Sequence, residues 1–313
     1  MPIAYVWRIP YKIKDIFLKF AGGILYYLSH NSFFMFNSFS KSILFAPLLS
    51  LLLGGVLVVG CGDDDNEEDA QTSSSDQNGS NVNYKVYTVK GVSFKMIAVK
   101  GGTFQMGIDD GYEWEKPVHQ VTLSDYYIGE TEVTQELWNA VMGSNPSKFT
   151  GNMQRPVEKV TWNDCQTFIS KLNQLTGETF RLPTEAQWEY AARGGNKSKG
   201  YTYSGSNEID EVAWYYDNNS DRTTHPVKTK APNELGIYDM SGNVDEWCSD
   251  WYGSYSSTTQ TDPTGPATGF LRVTRGGCWN YPAANCRVAV RNYSAPDSVP
   301  AEIRDCLGLR LAH

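Results

Sequence analysis

NELGIYDMSGNVDEWCSDWYG, residues 233–253, is the stretch of sequence that decides the fold. It lies in a long segment after Gly195 that is rich in Gly, Asn, Asp, Tyr and Trp and follows neither the helical nor the strand period. A compact domain seldom contains so much irregular chain. We therefore expect aromatic packing, bound ions or disulfides to hold residues 196–313 in place.

The residues before this segment show clearer periodicity. Val92 to Met106 alternates around Gly101-Gly102 and predicts two strands joined by a tight turn, and residues 121–128 predict a further strand. Three helices are predicted from capping residues and stop signals: one from Thr134 to Gly143, one capped by Asn163 and closed by Gly177, and one with a Thr184/Gln187 capping box that ends at Gly194-Gly195.

The amino-terminal residues predict export. Residues 43–59, ILFAPLLSLLLGGVLVV, are uncharged and apolar and stand directly before Gly60-Cys61. This run is at the short limit for a membrane span, so a transmembrane helix is the alternative. A small residue before a cysteine, with polar sequence following, fits a signal-peptide core better. We expect residues 1–60 to be a leader, and a start at Met35 would give it an ordinary length.

Residues 58–61, Val-Val-Gly-Cys, resemble a bacterial lipobox, in which the cysteine becomes the lipidated first residue of the mature protein. The acidic run from Asp63 to Asp69 and the polar residues after it predict a flexible tether over 61–83. The acidic run also resembles the surface-export signal of Bacteroidetes lipoproteins. We expect Cys61 to anchor the protein through lipid to the outer membrane or cell surface.

The charge of the exported part argues against one class of partner. After the leader is removed, 22 basic residues stand against 34 acidic ones, a net charge near −12. Phosphate binding requires a basic face, so nucleic acid is excluded as a partner.

Sequence blocks in both halves resemble the formylglycine-generating enzyme family, also called sulfatase-modifying factor domains. They are GGTFQMG at 101–107, GETEVTQELWNAVMG at 129–143, RPVEKVTWNDC at 155–165, RLPTEAQWEYAARGG at 181–195, the opening stretch at 233–253, RVTRGG at 272–277, CRVAVRN at 286–292 and LGLRLA at 307–312. The resemblance covers residues 92–313. It implies one α+β domain over 84–313, with a C-type lectin-like fold and little regular secondary structure.

The resemblance also implies calcium. The groups matching one family site are the side chains of Asp239 and Glu246 and the carbonyls of Gly242 and Val244, and oxygen donors along a turn suit this ion. A weaker second site falls near Trp214 and Tyr215, with Asn219 and Asp221 as its ligands. Asp245 departs from the family, which usually has an aromatic residue there.

Family oxidases use copper, oxygen and two cysteines placed four and nine residues after a double glycine. Counting from Gly276-Gly277 puts Tyr281 at the first position and Cys286 at the second, whereas a gapped alignment brings Cys278 near the first position and loses the second. Neither alignment restores both ligands of a Cu(I) site, although Cys286 with Cys278 remains the candidate catalytic pair. Comparison with the family favours a Cys278–Cys306 disulfide, because both cysteines stand where other residues are usual.

Three functions follow from the resemblance. The first is a surface-anchored, calcium-stabilised module that binds protein or glycan through an aromatic face comprising Trp251, Tyr252, Trp279, Tyr281 and Tyr293. The second is a copper-dependent oxidase that converts a substrate cysteine to formylglycine. The third is a component of an envelope secretion or gliding machine. Residues 272–312 also resemble the variable region of retroelement-diversified lectin-like proteins.

Overall fold

A computed structural model describes residues 83–298 and 304–313, together with the backbone of three strands nearer the amino terminus. These strands, β1 (Ile16–Lys19), β2 (Leu25–Ser29) and β3 (Ser32–Met35), pair antiparallel in that order. The chain divides into two units, residues 1–65 and 66–313. The predicted apolar run 43–59, Cys61 and the tether lie outside the described residues. In the described part, no helix is both long and apolar enough to cross a bilayer.

Three small sheets build the second unit. Their strands are β4 (Tyr84–Val89), β5 (Val92–Val99), β6 (Gly102–Met106), β7 (His119–Leu123), β8 (Tyr126–Gly129), β9 (Asp245–Trp251), β10 (Gln260–Thr261), β11 (Arg272–Arg275), β12 (Arg291–Ser294) and β13 (Leu307–Gly308). The sheet orders are β4-β5-β8, β10-β7-β6 and β12-β11-β9-β13. Pairing is antiparallel except that β10 runs parallel to β7 and β13 to β9.

Residues 83–298 and 304–313 contain four α-helices: α1 (Gln135–Met142), α2 (Trp162–Thr176), α3 (Glu185–Ala192) and the single turn α4 (Ile209–Val212). The predicted start and end of α1 and the capping box of α3 are confirmed. The prediction that Asn163 caps α2 is wrong. Thr161 caps it, because the Thr161 hydroxyl accepts the Asp164 amide while the Asp164 carboxylate accepts the Thr161 amide.

The predicted pairing of strands around Gly101 is also wrong. Both strands form, but β5 and β6 lie in different sheets. The predicted strand over 121–128 is likewise interrupted, at Ser124 and Asp125. The two interruptions meet: the Gly101 amide donates to the Asp125 carboxylate at 2.9 Å, and a side chain at Gly101 would collide with the Leu123 carbonyl oxygen. The chain therefore passes from one sheet to the other at both points.

The two largest apolar clusters of the described chain lie between these elements. One packs α1 and α2 against β4, β5 and the carboxyl-terminal residues, and within it the Trp138 and Phe168 rings stack with centroids 4.9 Å apart. The other surrounds Trp188 of α3 and includes the inward faces of β6, β7 and β8. The irregular second half contributes to both clusters through Trp247 and Val273.

Buried ion pairs fasten the irregular half to the rest. Arg275 of β11 is fully buried and is paired with Glu189 of α3. Arg310 is also fully buried; its guanidinium donates to Glu246 of β9 at 2.6 Å and to the Gly129 carbonyl at 2.9 Å. Charged hydrogen bonds of this kind are strong and directional. These ion pairs hold much of residues 196–313 in place. From the sequence alone, we expected aromatic packing, bound ions or disulfides to do so.

Replacement of Arg310 tests how much its ion pair with Glu246 stabilises the fold. Arg310→Met is expected to lower the free energy of unfolding by about 3–5 kcal/mol, because it leaves Glu246 buried without its cation. Lys171→Met, on the exposed face of α2, is the control and should change that energy by at most about 0.5 kcal/mol. Urea denaturation of the full chain measures the free energy of unfolding of both variants. Equal losses would show that the Arg310–Glu246 pair contributes no more to stability than an exposed lysine does.

Candidate functional site

A cavity of about 250 Å³ lies beside the sheet formed by β9, β11 and β12. We call it the Asp245 cavity. Its lining combines one acidic side chain, one arginine, three aromatic rings and small polar groups: Trp114, Asp245, Thr274, Tyr281, Arg291, Asn292, Tyr293, Ser294 and Leu307. Its size suits a single side chain or a small group, because pockets for drug-sized ligands are usually larger, at about 300–1,000 Å³.

Half-exposed aromatic rings line the wall of this cavity. Trp114 is 48% exposed and stacks on Tyr112 with centroids 4.8 Å apart. Tyr293 is 52% exposed and packs on Tyr252 at 4.5 Å. Exposed rings held by neighbouring rings are typical of binding surfaces, since they offer contact area at little entropic cost.

The structure brings together only part of the predicted aromatic face. Tyr281 and Tyr293 line the Asp245 cavity, and Tyr252 supports Tyr293. Trp279 is buried, with its indole N–H donating to the Asp305 carbonyl. Trp251 lies under the Arg272 guanidinium and lines a different cavity.

Trp114 was missed by sequence reasoning. It stands in a short charged loop between β6 and β7, in a 3-10 turn over Glu113–Glu115. A tryptophan among acidic residues in a loop is the signal that could have identified it, because such a ring has little apolar surface nearby in sequence to cover it.

Asp245 forms the floor of the cavity and is 2% exposed. Its carboxylate accepts hydrogen bonds from the Thr274 hydroxyl at 2.8 Å, the Gly277 amide at 3.2 Å and the Asn292 amide group at 3.2 Å. Burial, only partly offset by these donors, raises its pKa to about 6. Within residues 83–298 and 304–313, no lysine or arginine forms an ion pair with it.

The cysteines separate into a disulfide and a single thiol at this site. Cys278 is bonded to Cys306, with Cα atoms 5.5 Å apart, as the family comparison favoured. Cys286 is a buried free thiol that packs in one cluster with Tyr281. Burial and the nearby Asp245 carboxylate raise the pKa of this thiol well above its usual range.

These donors do not fit the predicted copper site. Cu(I) is held by soft thiolates, and here one neutral thiol lies beside a tyrosine and a carboxylate. A second thiolate from Cys278 would require reduction of its bond to Cys306. The arrangement agrees with the ungapped alignment, in which Tyr281 takes the position of the first cysteine.

Of the groups predicted to bind calcium, Glu246 is in contact with an arginine. Both Glu246 oxygens accept from Arg310, and one also accepts from the Trp188 indole at 2.7 Å. The Asp239 carboxylate accepts the Lys228 amide at 2.8 Å. The carbonyl donors, Gly242 and Val244, lie on the same turn. As arranged, this set does not fit a calcium ion, because the cation in contact with Glu246 is Arg310.

The weaker calcium site is also engaged in protein contacts. Asn219 is buried, and its amide group donates to the Thr223 carbonyl at 2.7 Å and the Trp279 carbonyl at 3.3 Å. Asp221 lies 3.3 Å from the His225 ring nitrogen. In the described part of the chain, no three or more His, Cys, Asp or Glu side chains are grouped as metal ligands. Calcium binding thus rests on the family resemblance alone, and the contact of Glu246 with Arg310 argues against it.

A second cavity, of about 280 Å³, lies on the other side of Arg291. Its charged lining includes Glu185, Asp250 and Arg291, and its aromatic lining includes Tyr255. Arg291 donates to both Glu185 oxygens, at 2.5 and 2.7 Å, so the two charges compensate each other. Asp250 is left with the Glu185 amide and the Ser249 hydroxyl, and burial beside Glu185 raises its pKa to about 7.

Comparison with known proteins identifies relatives of most of the second unit. The family model described as sulfatase-modifying factor enzyme 1-like domain matches residues 88–313. The chaperone protein LppX of Paenibacillus barcinonensis is 41% identical over 51% of this chain and 71% of its own length. The formylglycine-generating enzyme of Streptomyces coelicolor is 36% identical over 56% of this chain and 58% of its own. The solved structure of Treponema denticola variable protein 1 is 38% identical, with a TM-score of 0.67, covering 73% of this chain and 98% of that one.

The stability of the native protein should fall with rising pH because of Asp250. Its folded pKa of about 7 exceeds the unfolded value of about 3.9, so stability is full below about pH 4 and is lost as pH rises through 7. Asp250→Asn has no such proton to lose. We expect it to be more stable than the native chain by about 2–4 kcal/mol at pH 8 and similar to it at pH 4.

Urea denaturation at the two pH values measures this difference. The exposed Asp217→Asn is the control and should change little at either pH. A gain for Asp250→Asn that is equal at pH 4 and pH 8 would contradict the assignment to a buried charge.

Calcium removal should leave the protein unchanged. EDTA is expected not to shift the Tm of the full chain, because Arg310 already neutralises Glu246. A bound calcium ion at a hundred times its Kd would add about 2.7 kcal/mol, which corresponds to a Tm rise of roughly 5–10 °C. Thermal melts with EDTA or added calcium distinguish the two cases, and a rise of that size with calcium would restore the calcium prediction.

Proposed function

Because this chain belongs to the sulfatase-modifying factor enzyme 1-like domain family, we propose that it uses the family's fold as a lipid-anchored binding module for a protein or glycan. The module works outside the cytoplasm, on the outer membrane or cell surface. The apolar run 43–59, the cysteine at 61 and the polar residues after it support this location.

The observation that carries the proposal is the Asp245 cavity. It is lined by Tyr281, which the ungapped alignment puts in place of the first copper-binding cysteine and which packs with Cys286, the second. The cavity instead has half-exposed rings on its wall and a carboxylate on its floor. Such a site can bind by ring contact and hydrogen bonding without a reactive group.

Two relatives support binding over catalysis. One is described as a chaperone protein, which implies contact with other proteins, and it aligns over 71% of its own length. The other is described as a variable protein, and it aligns over 98% of its length. The resemblance of residues 272–312 to variable binding regions agrees, since these residues supply β11, β12 and most of the cavity lining.

Binding through this cavity should depend on Tyr293. The native chain is expected to select ligands from arrays of defined glycans and peptides, and Tyr293→Ala should weaken the selected interactions about tenfold or more, as for a ring at the centre of an interface. Phe270→Ala is the matched control, because Phe270 is 93% exposed and lies outside the cavity lining. Equal losses in both variants, or no selected ligand, would contradict the proposal.

The alternative function is the formylglycine-generating oxidase. The buried Cys286 thiol beside the cavity and the similarity to the Streptomyces coelicolor enzyme favour it. It requires Cu(I) to bind the reduced chain and a sulfatase-motif peptide to lose mass at its cysteine. We expect neither in the native chain or in Cys286→Ser, because one thiol cannot replace a thiolate pair. Tight Cu(I) binding that Cys286→Ser abolishes would favour the oxidase.

A further inference from the structure

We propose that the ligand of the Asp245 cavity presents a primary ammonium group, the lysine side chain of a protein partner, to the Asp245 carboxylate. This inference rests on the proposed binding function and names its ligand chemistry. It follows from the charges around the cavity floor, the hydrogen-bond capacity left on Asp245 and the rings of the wall.

The charge at the cavity floor is uncompensated. Each of the buried carboxylates Glu185, Glu189 and Glu246 is paired with an arginine. Asp245, like the buried Asp250, has no such partner in the described chain, and the arginine that shares its cavity, Arg291, is held by two hydrogen bonds to Glu185. A buried carboxylate without a cation has an unfavourable free energy. A ligand that brings a cation to it removes part of that penalty, and this contributes to binding.

The other titratable groups around the floor supply no cation either. The Cys286 thiol and the Tyr281 hydroxyl, which pack together, carry no positive charge in any protonation state. Glu246, next in sequence, is paired with Arg310. The net charge facing the cavity is therefore that of Asp245 when it is ionised.

The remaining acceptor capacity favours ammonium over guanidinium. A carboxylate offers about four lone-pair sites, and the donors Thr274, Gly277 and Asn292 already use three. A guanidinium needs two parallel acceptors for its fork, whereas an ammonium can bind as a compact point charge through one. The single free site on Asp245 fits the second group.

The walls suit the rest of a lysine side chain. Trp114, Tyr281 and Tyr293 line the same cavity as Asp245. Rings of this kind attract a cation through their faces and pack against its methylene stem. A cavity of about 250 Å³ holds one such side chain and little more.

Titration of the nitrogen-15-labelled full chain tests the inference. The probes are N-acetyl-lysine methylamide, its neutral norleucine analogue, its arginine analogue and methyl glucoside. The readout is the indole N–H signal of Trp114, assigned with Trp114→Phe. We expect the lysine probe to bind about tenfold or more tightly than the norleucine probe, as a charge-assisted hydrogen bond requires.

Asp245→Asn should remove this preference, because the amide keeps the shape of the side chain and loses its charge. Asp262→Asn, which changes an exposed acid outside the cavity, is the control and should keep the preference. Equal binding of lysine and norleucine, stronger binding of arginine or glucoside, or a lysine preference that survives in Asp245→Asn would overturn the inference.

The array experiment separates this inference from the proposed function. If ligands selected on the arrays depend on Tyr293 but no lysine preference is found, the ammonium is wrong and the binding module stands. If neither the arrays nor any probe engages the cavity, both proposals fall.

Discussion

Two glutamates one helical turn apart on α3, Glu185 and Glu189, receive the arginines of the two strands that follow late in the chain. Arg291 of β12 pairs with the first and Arg275 of β11 with the second, and all four side chains are buried. A buried carboxylate without its cation is strongly unfavourable, so these pairs leave the β11–β12 segment few other positions. The loops between these elements need little regular structure of their own.

This constraint also shapes the candidate site. Because Arg291 is committed to Glu185, it lines the Asp245 cavity without neutralising Asp245. The Gly277 amide donates a hydrogen bond to Asp245, and the next residue, Cys278, forms the disulfide with Cys306. The cavity thus combines a firmly held frame with one carboxylate that no residue of the described chain compensates.

A buried carboxylate–arginine pair is also found at the predicted calcium site. Glu132, Asp239 and Glu246 interact closely enough that each raises the pKa of a neighbour, and Arg310 is the cation among them. The three carboxylates share this one guanidinium, and the one in contact with it is Glu246. The family's fold is kept, while Glu246 of the predicted calcium site is bound by Arg310.

The sequence by itself determined the family, the α+β class and the caps of α1 and α3, and comparison with the family favoured the Cys278–Cys306 pair. The caps follow from residue spacing within one helix, and the family and fold class follow from the order of its sequence blocks along the chain. Only the tertiary structure decided that β5 and β6 separate into two sheets, that Trp114 joins Tyr281 and Tyr293, and that Arg310 meets Glu246. The physical reason is distance along the chain: Arg310 and Glu246 are 64 residues apart, and Arg291 and Glu185 are 106 apart. A charge pair at such separation leaves no periodic trace in the sequence, because either partner alone is compatible with an exposed loop.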